Sequence, residues 1–364
     1  MPPRPTETSL AVSPPGILEV DLGALVANYQ DMARRAPGSS VGAAVKANAY
    51  GLGVGPVVRA LSDAGCKRFF VATLQEGIEL RALLRSAEVC ILNGLLPGDE
   101  PAMLQHRLIP VLNDIEQVER WRSGGQGAPC IVHVDTGMNR LGIAPEEAGA
   151  LASSLQGLNL IELMSHLACA GQQGHPQNAA QLALFNEITP LYPFTPKSLA
   201  NSAGVLLGPD YHFDAVRVGI ALYGGNPAHG IANPFRAVVT LKAQVLQQRW
   251  ITPPATVGYE ALYTVDRRMR LATVAAGYAD GLPTTLTNKG HGFVDGHAVP
   301  IVGRISMDLI TLDVTAAPEE ATAPGAYIEI IGPNARLDDL ADAGGLISYE
   351  LLTGLGPRFE RRYL

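Results

Sequence analysis

"VGAAVKANAYGLG", residues 41–53, runs through five apolar or small residues and then sets one ammonium group, Lys46, against Ala47, Asn48, Ala49 and Tyr50. An apolar run without alternation reads as a strand covered on both faces, the mark of a parallel sheet. A lysine needed only for solubility has no use for such surroundings. Seven further runs follow: "RFFVAT" (68–73), "VCILNG" (89–94), "IPVLN" (109–113), "CIVHVD" (130–135), "IELMSHL" (161–167), "PKSLANS" (196–202) and "AVRVGIALYG" (215–224). Between them lie stretches with apolar residues at helical spacing, such as "LQEGIELRALLRS" (74–86) and "NAAQLALFNEITPLY" (178–192). "ILEVDLGALVANYQDMARRA" (17–36) reads as a strand that enters a helix capped by Asp21.

Eight strand–helix units over residues 17–240 predict a TIM barrel. The rival, a doubly wound open sheet, lacks a G-x-G-x-x-G fingerprint after an early strand. Beyond 240 the helical pattern fades into Gly- and Pro-broken β segments, including "VVTLKAQVLQQRWI" (238–251) and "YIEIIG" (327–332). Residues 241–364 therefore read as a mostly β C-terminal domain. The proline-rich start, 1–16, reads as a flexible leader without the apolar stretch of a signal peptide.

Composition narrows the function classes. The chain has 364 residues, 47% hydrophobic and 17% charged, with a net charge of -7 and no basic block. Nucleic acid is not an expected partner, because phosphate backbones call for clustered Lys and Arg. No apolar run reaches the roughly 18 residues of a membrane span. Cys66, Cys90, Cys130 and Cys169 show no C-x-x-C spacing and read as small buried hydrophobes in a reducing, cytoplasmic protein; no metal site is expected.

A TIM barrel builds its active site at the C-terminal ends of its strands. Lys46 closes the first run, Arg140 follows the fifth, His166 ends the sixth, Asn201 and Ser202 end the seventh, and Arg217 and Gly219 lie in the eighth. Each alone has an ordinary structural reading: a rim ion pair, a hydrogen-bonded core histidine, a turn serine. Five strands delivering polar groups to one rim is harder to explain structurally. A lysine among apolar residues loses hydration, which favours the neutral amine that attacks an aldehyde. Small neighbours leave room for a flat ring, and Ser202 with the backbone around Gly219 suits a phosphate. Pyridoxal phosphate carries all three features.

Together "AVKANAYGLG" (44–53), "VDTGMNRLG" (134–142), "SHLACA" (165–170), "NSAG" (201–204), "RVGIALYG" (217–224), "VGYEALY" (257–263), "AAGYADGLP" (275–283) and "VGRISMDL" (302–309) resemble the alanine racemases. The resemblance implies a cytoplasmic homodimer with shared active sites that interconverts L- and D-alanine by two bases and supplies D-alanine for peptidoglycan. By it, Lys46 carries the cofactor and is one catalytic base, and Tyr259 is the other. Tyr50, Ser202, Gly219 and Ile220 contact the phosphate, while His166, Asn201 and Arg217 complete the cofactor site, Arg217 at the pyridine nitrogen. Arg140 and the backbone N–H of Met307 meet the substrate carboxylate, and Tyr278 and Asp308 line the mouth of the site.

Two positions depart from the resemblance. Many members have a carbamylated lysine where this chain has His133, and histidine cannot form that carbamate, so another anion is expected beside Arg140. Some members place a phosphate-contacting tyrosine where this chain has Pro357, so no C-terminal phosphate tyrosine is assigned. The alternatives are a racemase of broader amino-acid range and a non-catalytic pyridoxal phosphate binder. A pyridoxal-dependent decarboxylase on this fold would want an acid at the ring nitrogen, where Arg217 is expected instead.

Overall fold

The computed structural model describes residues 13–364; residues 1–12 of the expected leader lie outside the described residues. The chain forms two compact units. One comprises residues 20–239, 347–353 and 363–364; the other comprises residues up to Glu19, then 240–346 and 354–362.

The first unit is a closed eight-stranded parallel barrel. After strand β1 (Gly16–Val20), its staves are β2 (Ser40–Ala44), β3 (Arg68–Val71), β4 (Glu88–Ile91), β5 (Ile109–Leu112), β6 (Pro129–His133), β7 (Asn159–Met164), β8 (Lys197–Asn201) and β9 (Ala215–Val218). They correspond one for one to the eight apolar runs. Closure comes from β9 pairing with β2, Gly42 opposite Arg217. The first helix, Leu22–Arg35, starts where the sequence indicates: the Asp21 carboxylate accepts the Ala24 N–H at 2.7 Å.

Side chains two residues apart on a strand share a face, so each stave supplies the barrel interior in layers. Ala44, Phe70, Val111, His133 and Met164 line a cavity at the upper end. Phe70, Cys90, Ile109, Val111, Ile131 and Met164 pack as an apolar cluster. Lower in the interior, Arg68 on β3 donates to fully buried Glu162 on β7 and also to Glu88.

The second unit is a mostly antiparallel sheet. Its strands are β10 (Val239–Ile251), β11 (Ala255–Val257), β12 (Tyr263–Val265), β13 (Met269–Val274), β14 (His291–Val294), β15 (His297–Pro300), β16 (Ile310–Asp313), β17 (Tyr327–Ile331) and β18 (Glu360–Tyr363). The main sheet runs β15-β14-β17-β10-β1-β18, with β13 and β16 branching from β10, and β11 and β12 form a separate ribbon. In β10, Val239, Leu241, Ala243 and Val245 are buried in strict alternation, the pattern of a sheet with one covered face. The opening strand β1 thus belongs to this sheet and not to the barrel, because its pairing partners β10 and β18 lie more than 200 residues later in the chain.

Among the described residues, no helix is long and apolar enough to cross a membrane. Cys66, Cys90 and Cys130 are buried; Cys169 is only half-buried, so the expectation of four buried cysteines holds for three.

Candidate active site

β2 ends at Ala44, and the chain then does something that periodicity does not announce. Ala47, Asn48, Ala49 and Tyr50 all have φ between 53° and 55°, a left-handed turn built from residues other than glycine. Each such residue costs roughly 1–2 kcal/mol relative to the right-handed form. Specific bonds hold the turn: Glu76 accepts the Ala47 N–H at 2.7 Å and the Ala72 N–H at 2.7 Å, and Asn48 Oδ1 accepts the Val54 N–H at 2.8 Å. Strain of this kind persists where the surroundings over-determine the backbone, commonly at functional sites. Here it sends Lys46 and Tyr50 toward the same cavity.

That cavity has a volume of about 490 Å³. Nine of the expected site residues line it: Lys46, Tyr50, Arg140, His166, Asn201, Ser202, Arg217, Gly219 and Ile220. Lys46 lies below the usual lysine range because of burial first and the Arg140 charge second, with Glu76 opposing. Burial pushes Arg217 down to about 10, against the pull of Glu162, so it remains a cation and a pure donor at neutral pH. Its Nη1 donates to Ser198 Oγ, and Nη2 donates to the Ser165 and Leu199 carbonyls and lies 3.3 Å from His166 Nδ1. Asn201 lies 3.4 Å from the other nitrogen of His166 while capping Gly204. Burial first, and then the charge of Arg217, holds His166 well below the usual histidine range.

Arg140 rides on a loop folded by Asp135, whose carboxylate accepts the N–H groups of Gly137, Met138 and Asn139 at 2.8 Å each. This is the physical content of the aspartate in "VDTGMNR". His133 ends β6 beneath it. The Asn113 amide donates to the Leu92 and Val111 carbonyls, so Asn113 Oδ1 faces His133 Nδ1 at 2.8 Å and can only accept. His133 therefore carries its proton on Nδ1. Burial and the Arg217 charge push its pKa down to about 4, leaving it neutral.

Elsewhere in the cavity lining, the Gly219 N–H donates to Ser202 Oγ at 2.7 Å. A Cβ at Gly219 would sit 2.5 Å from the Tyr50 hydroxyl, so only glycine allows that hydroxyl to approach the backbone there. Among the described residues no carboxylate lines the cavity, which is instead faced by Lys46, Arg140 and Arg217. Such a set suits a ligand with more than one anionic group. Among the described residues no cluster suited to a metal ion occurs.

Tyr259, Tyr278, Met307 and Asp308 belong to the β-rich unit, on neighbouring loops. Gly258 approaches Arg304, and Arg304 pairs with Glu260, which ties the Tyr259 turn to the 303–309 loop. The Tyr278 and Ala279 N–H groups donate to the Ser306 and Met307 carbonyls at 3.0 Å each. Arg358 bridges Asp280 and Asp308 at 2.6–2.7 Å. Tyr259 is 70% exposed, Met307 52% and Tyr278 44%.

Three contributors escape the motif reading. Tyr349, from the "SYE" of the C-terminal stretch, also lines the cavity. Glu76 is visible in sequence only as the third residue of a Thr73 capping box. Asn113 gives no local sign that it sets the tautomer of His133.

Known proteins match this arrangement along the whole chain. The family models "Alanine racemase, N-terminal domain" and "Alanine racemase, C-terminal domain" match residues 20–227 and 238–363. An alanine racemase of Rhodospirillum rubrum is 46% identical, covering 95% of each chain. A catabolic alanine racemase of Agrobacterium fabrum is also 46% identical, covering 96% of this chain and 92% of its own. The solved alanine racemase of Bartonella henselae, described with covalently bound pyridoxal phosphate, superposes with a TM-score of 0.91 at 38% identity, covering 97% of this chain and all of that one. The biosynthetic enzyme of Pseudomonas aeruginosa gives a TM-score of 0.91 at 37% identity with the same coverage. With both halves matched and close relatives spanning nearly its full length, the chain belongs to the alanine racemase family and is an isomerase of that kind.

Proposed function

We propose that the chain interconverts L- and D-alanine with pyridoxal phosphate in the barrel cavity, using Lys46 and Tyr259 as bases on opposite faces of Cα. The observation that carries the cofactor reading is the cavity itself, lined both by a lysine with a lowered pKa and by Gly219, whose Cβ position is taken by the Tyr50 hydroxyl. Ser202, Gly219, Ile220 and Tyr50 would hold the phosphate, and His166, Asn201 and Arg217 the ring. Bound pyridoxal phosphate supplies an electron-accepting ring that stabilises the charge left when Cα loses its proton.

The protein's own groups do the rest. A lowered pKa raises the fraction of Lys46 present as neutral amine, able to bind the aldehyde and later to take or return a proton. Lys46 serves D-alanine and the Tyr259 phenol serves L-alanine. Arg217, which does not give up its proton, would leave the ring nitrogen unprotonated, which limits competing reactions such as transamination. Arg140 and the Met307 N–H receive the substrate carboxylate. Tyr278 and Asp308 line the approach, Asp308 fixed by Arg358.

Tyr259 and Met307 stand exposed on one unit while Lys46 and Arg140 belong to the other. This division supports a homodimer in which each copy completes the other's site. The test mixes Lys46→Ala chains with Tyr259→Ala chains after dissociation. Random pairing makes about half the dimers mixed, so about a quarter of all sites regain both bases. A mixture that stays inactive despite proven subunit exchange defeats the shared site. Relatives named catabolic and biosynthetic both occur. We place this chain in the cytoplasm, supplying D-alanine for peptidoglycan; rescue of a D-alanine auxotroph tests that role. Incubation with L-alanine and with larger L-amino acids in deuterated water distinguishes an alanine-selective enzyme from a broader racemase.

A further inference from the structure

Below its cavity this barrel carries charge, where TIM barrels usually pack branched apolar side chains. Phe70 and Met164 line the cavity, and two residues earlier on the same strands stand Arg68 and Glu162. Residues two apart on a strand share a face, so this pair forms the next layer down. Glu162 is fully buried, and its Oε2 accepts from Arg68 Nη1. Ser198, also fully buried, pairs with Met164 across β7 and β8, and its hydroxyl accepts from Arg217 Nη1. Arg217 in turn lines the cavity. Two guanidinium groups thus act on one carboxylate, one of them next to the Ser198 hydroxyl.

Stability does not explain this layer, because apolar residues of the same volume commonly match or better a buried ion pair. The hydrogen bonds point to another role. Ser198 uses a lone pair for Arg217, so its single proton needs an acceptor of its own. Glu162 Oε1 is buried without a partner at full hydrogen-bond geometry. Burial raises the Glu162 carboxyl, the charges of Arg68 and then Arg217 pull it back, and the Ser198 hydroxyl adds a weaker pull as a donor. At Arg217 it is the Glu162 charge that opposes burial, and among the described residues no carboxylate in the cavity lining shares that task. We propose that Glu162 is a positioning residue for racemisation: its carboxylate, anchored by Arg68, takes the Ser198 proton, turns the Ser198 lone pair to Arg217, and keeps that guanidinium charged and aimed at the cofactor's ring nitrogen. The proposal rests on the reading of the cavity as a pyridoxal phosphate site with Arg217 at that nitrogen.

The experiment compares pyridoxal phosphate with an analogue in which C–H replaces the ring nitrogen. Full-length protein is freed of bound aldehyde with hydroxylamine and titrated with each, binding being followed by absorbance. Wild type is expected to prefer pyridoxal phosphate, because only its nitrogen accepts from Arg217. Glu162→Gln keeps the side chain's shape and removes its charge. The preference should then shrink roughly 10-fold, through a weaker Kd for pyridoxal phosphate alone. Combining Arg68→Met with Glu162→Gln removes both charges and leaves no unpaired ion in the core, and it should lose the preference as well. If Glu162→Gln does not fold, as thermal unfolding will show, the double variant decides. Equal weakening of both ligands, or a preference like that of wild type, assigns Glu162 to barrel packing and overturns the proposal. A wild type that does not distinguish the two ligands overturns the placement of Arg217 at the ring nitrogen, a separate failure.

Discussion

In the barrel unit, Lys46, His133, His166 and Arg217 are enclosed, and each has neighbours that set its charge or orientation. In the β-rich unit, Tyr259, Tyr278 and Met307 stand on loops with much of their surface open. The difference follows from architecture. Strand ends of a closed barrel converge on one cavity, where low dielectric magnifies every neighbouring charge. Loops of an open sheet display groups outward, where water screens them. The barrel therefore suits tuned cations, whereas the β-rich loops leave Tyr259, Tyr278 and Met307 open to solvent.

The largest expected effects test this division of labour. On the proposed roles, Lys46→Ala removes both the cofactor's attachment and one base, so alanine racemisation should fall by at least ~10⁴ in both directions. Tyr259→Phe keeps the cofactor and removes one phenol. Overall racemisation should fall by ~10²–10⁴, and Cα exchange from L-alanine should fall far more than exchange from D-alanine. Equal exchange losses from the two enantiomers would refute the assignment of Tyr259 to one face.

Stability should show the same contrast. Arg68→Ala leaves fully buried Glu162 without its guanidinium, a change that costs about 3–5 kcal/mol in urea unfolding. Arg304→Ala breaks the exposed pair with Glu260 in the β-rich unit and should cost less than ~1 kcal/mol. Similar losses at the two positions would mean that burial does not separate the units electrostatically.

A smaller effect is expected from pH. His133 is held near 4 in the folded protein against an ordinary value of 6.5, so the unfolded chain binds more protons between those values. Stability is complete above pH 6.5 and falls as pH drops toward 4, by roughly 3 kcal/mol at most from this residue. His166 acts with the same sign. His133→Asn should make the slope in that window shallower without removing it; an unchanged slope would show that His133 is not held neutral.

The smallest effect concerns the left-handed turn. Ala47 is exposed with φ 53°, so Ala47→Gly relieves strain and should stabilise the fold by up to ~1 kcal/mol, read as a small rise in Tm. A loss of stability would mean that the Glu76 bonds have made this backbone favourable for alanine.

The amino-acid sequence by itself determined the barrel, because each of its eight staves is a continuous apolar run and parallel strands buried on both faces need no partner to be recognised. It also determined the rim chemistry of Lys46, Arg140, His166, Asn201, Ser202 and Arg217, since a residue's place at the end of a run is a local property. Only the tertiary structure decided that β1 joins β10 and β18, because pairing across more than 200 residues leaves no local trace. It likewise decided that Ala47–Tyr50 winds left-handed, that Asn113 sets the proton on His133, and that Tyr349 reaches the cavity. Those outcomes depend on which groups meet in space, and hydrogen bonds from remote residues can outweigh the preferences of the local chain.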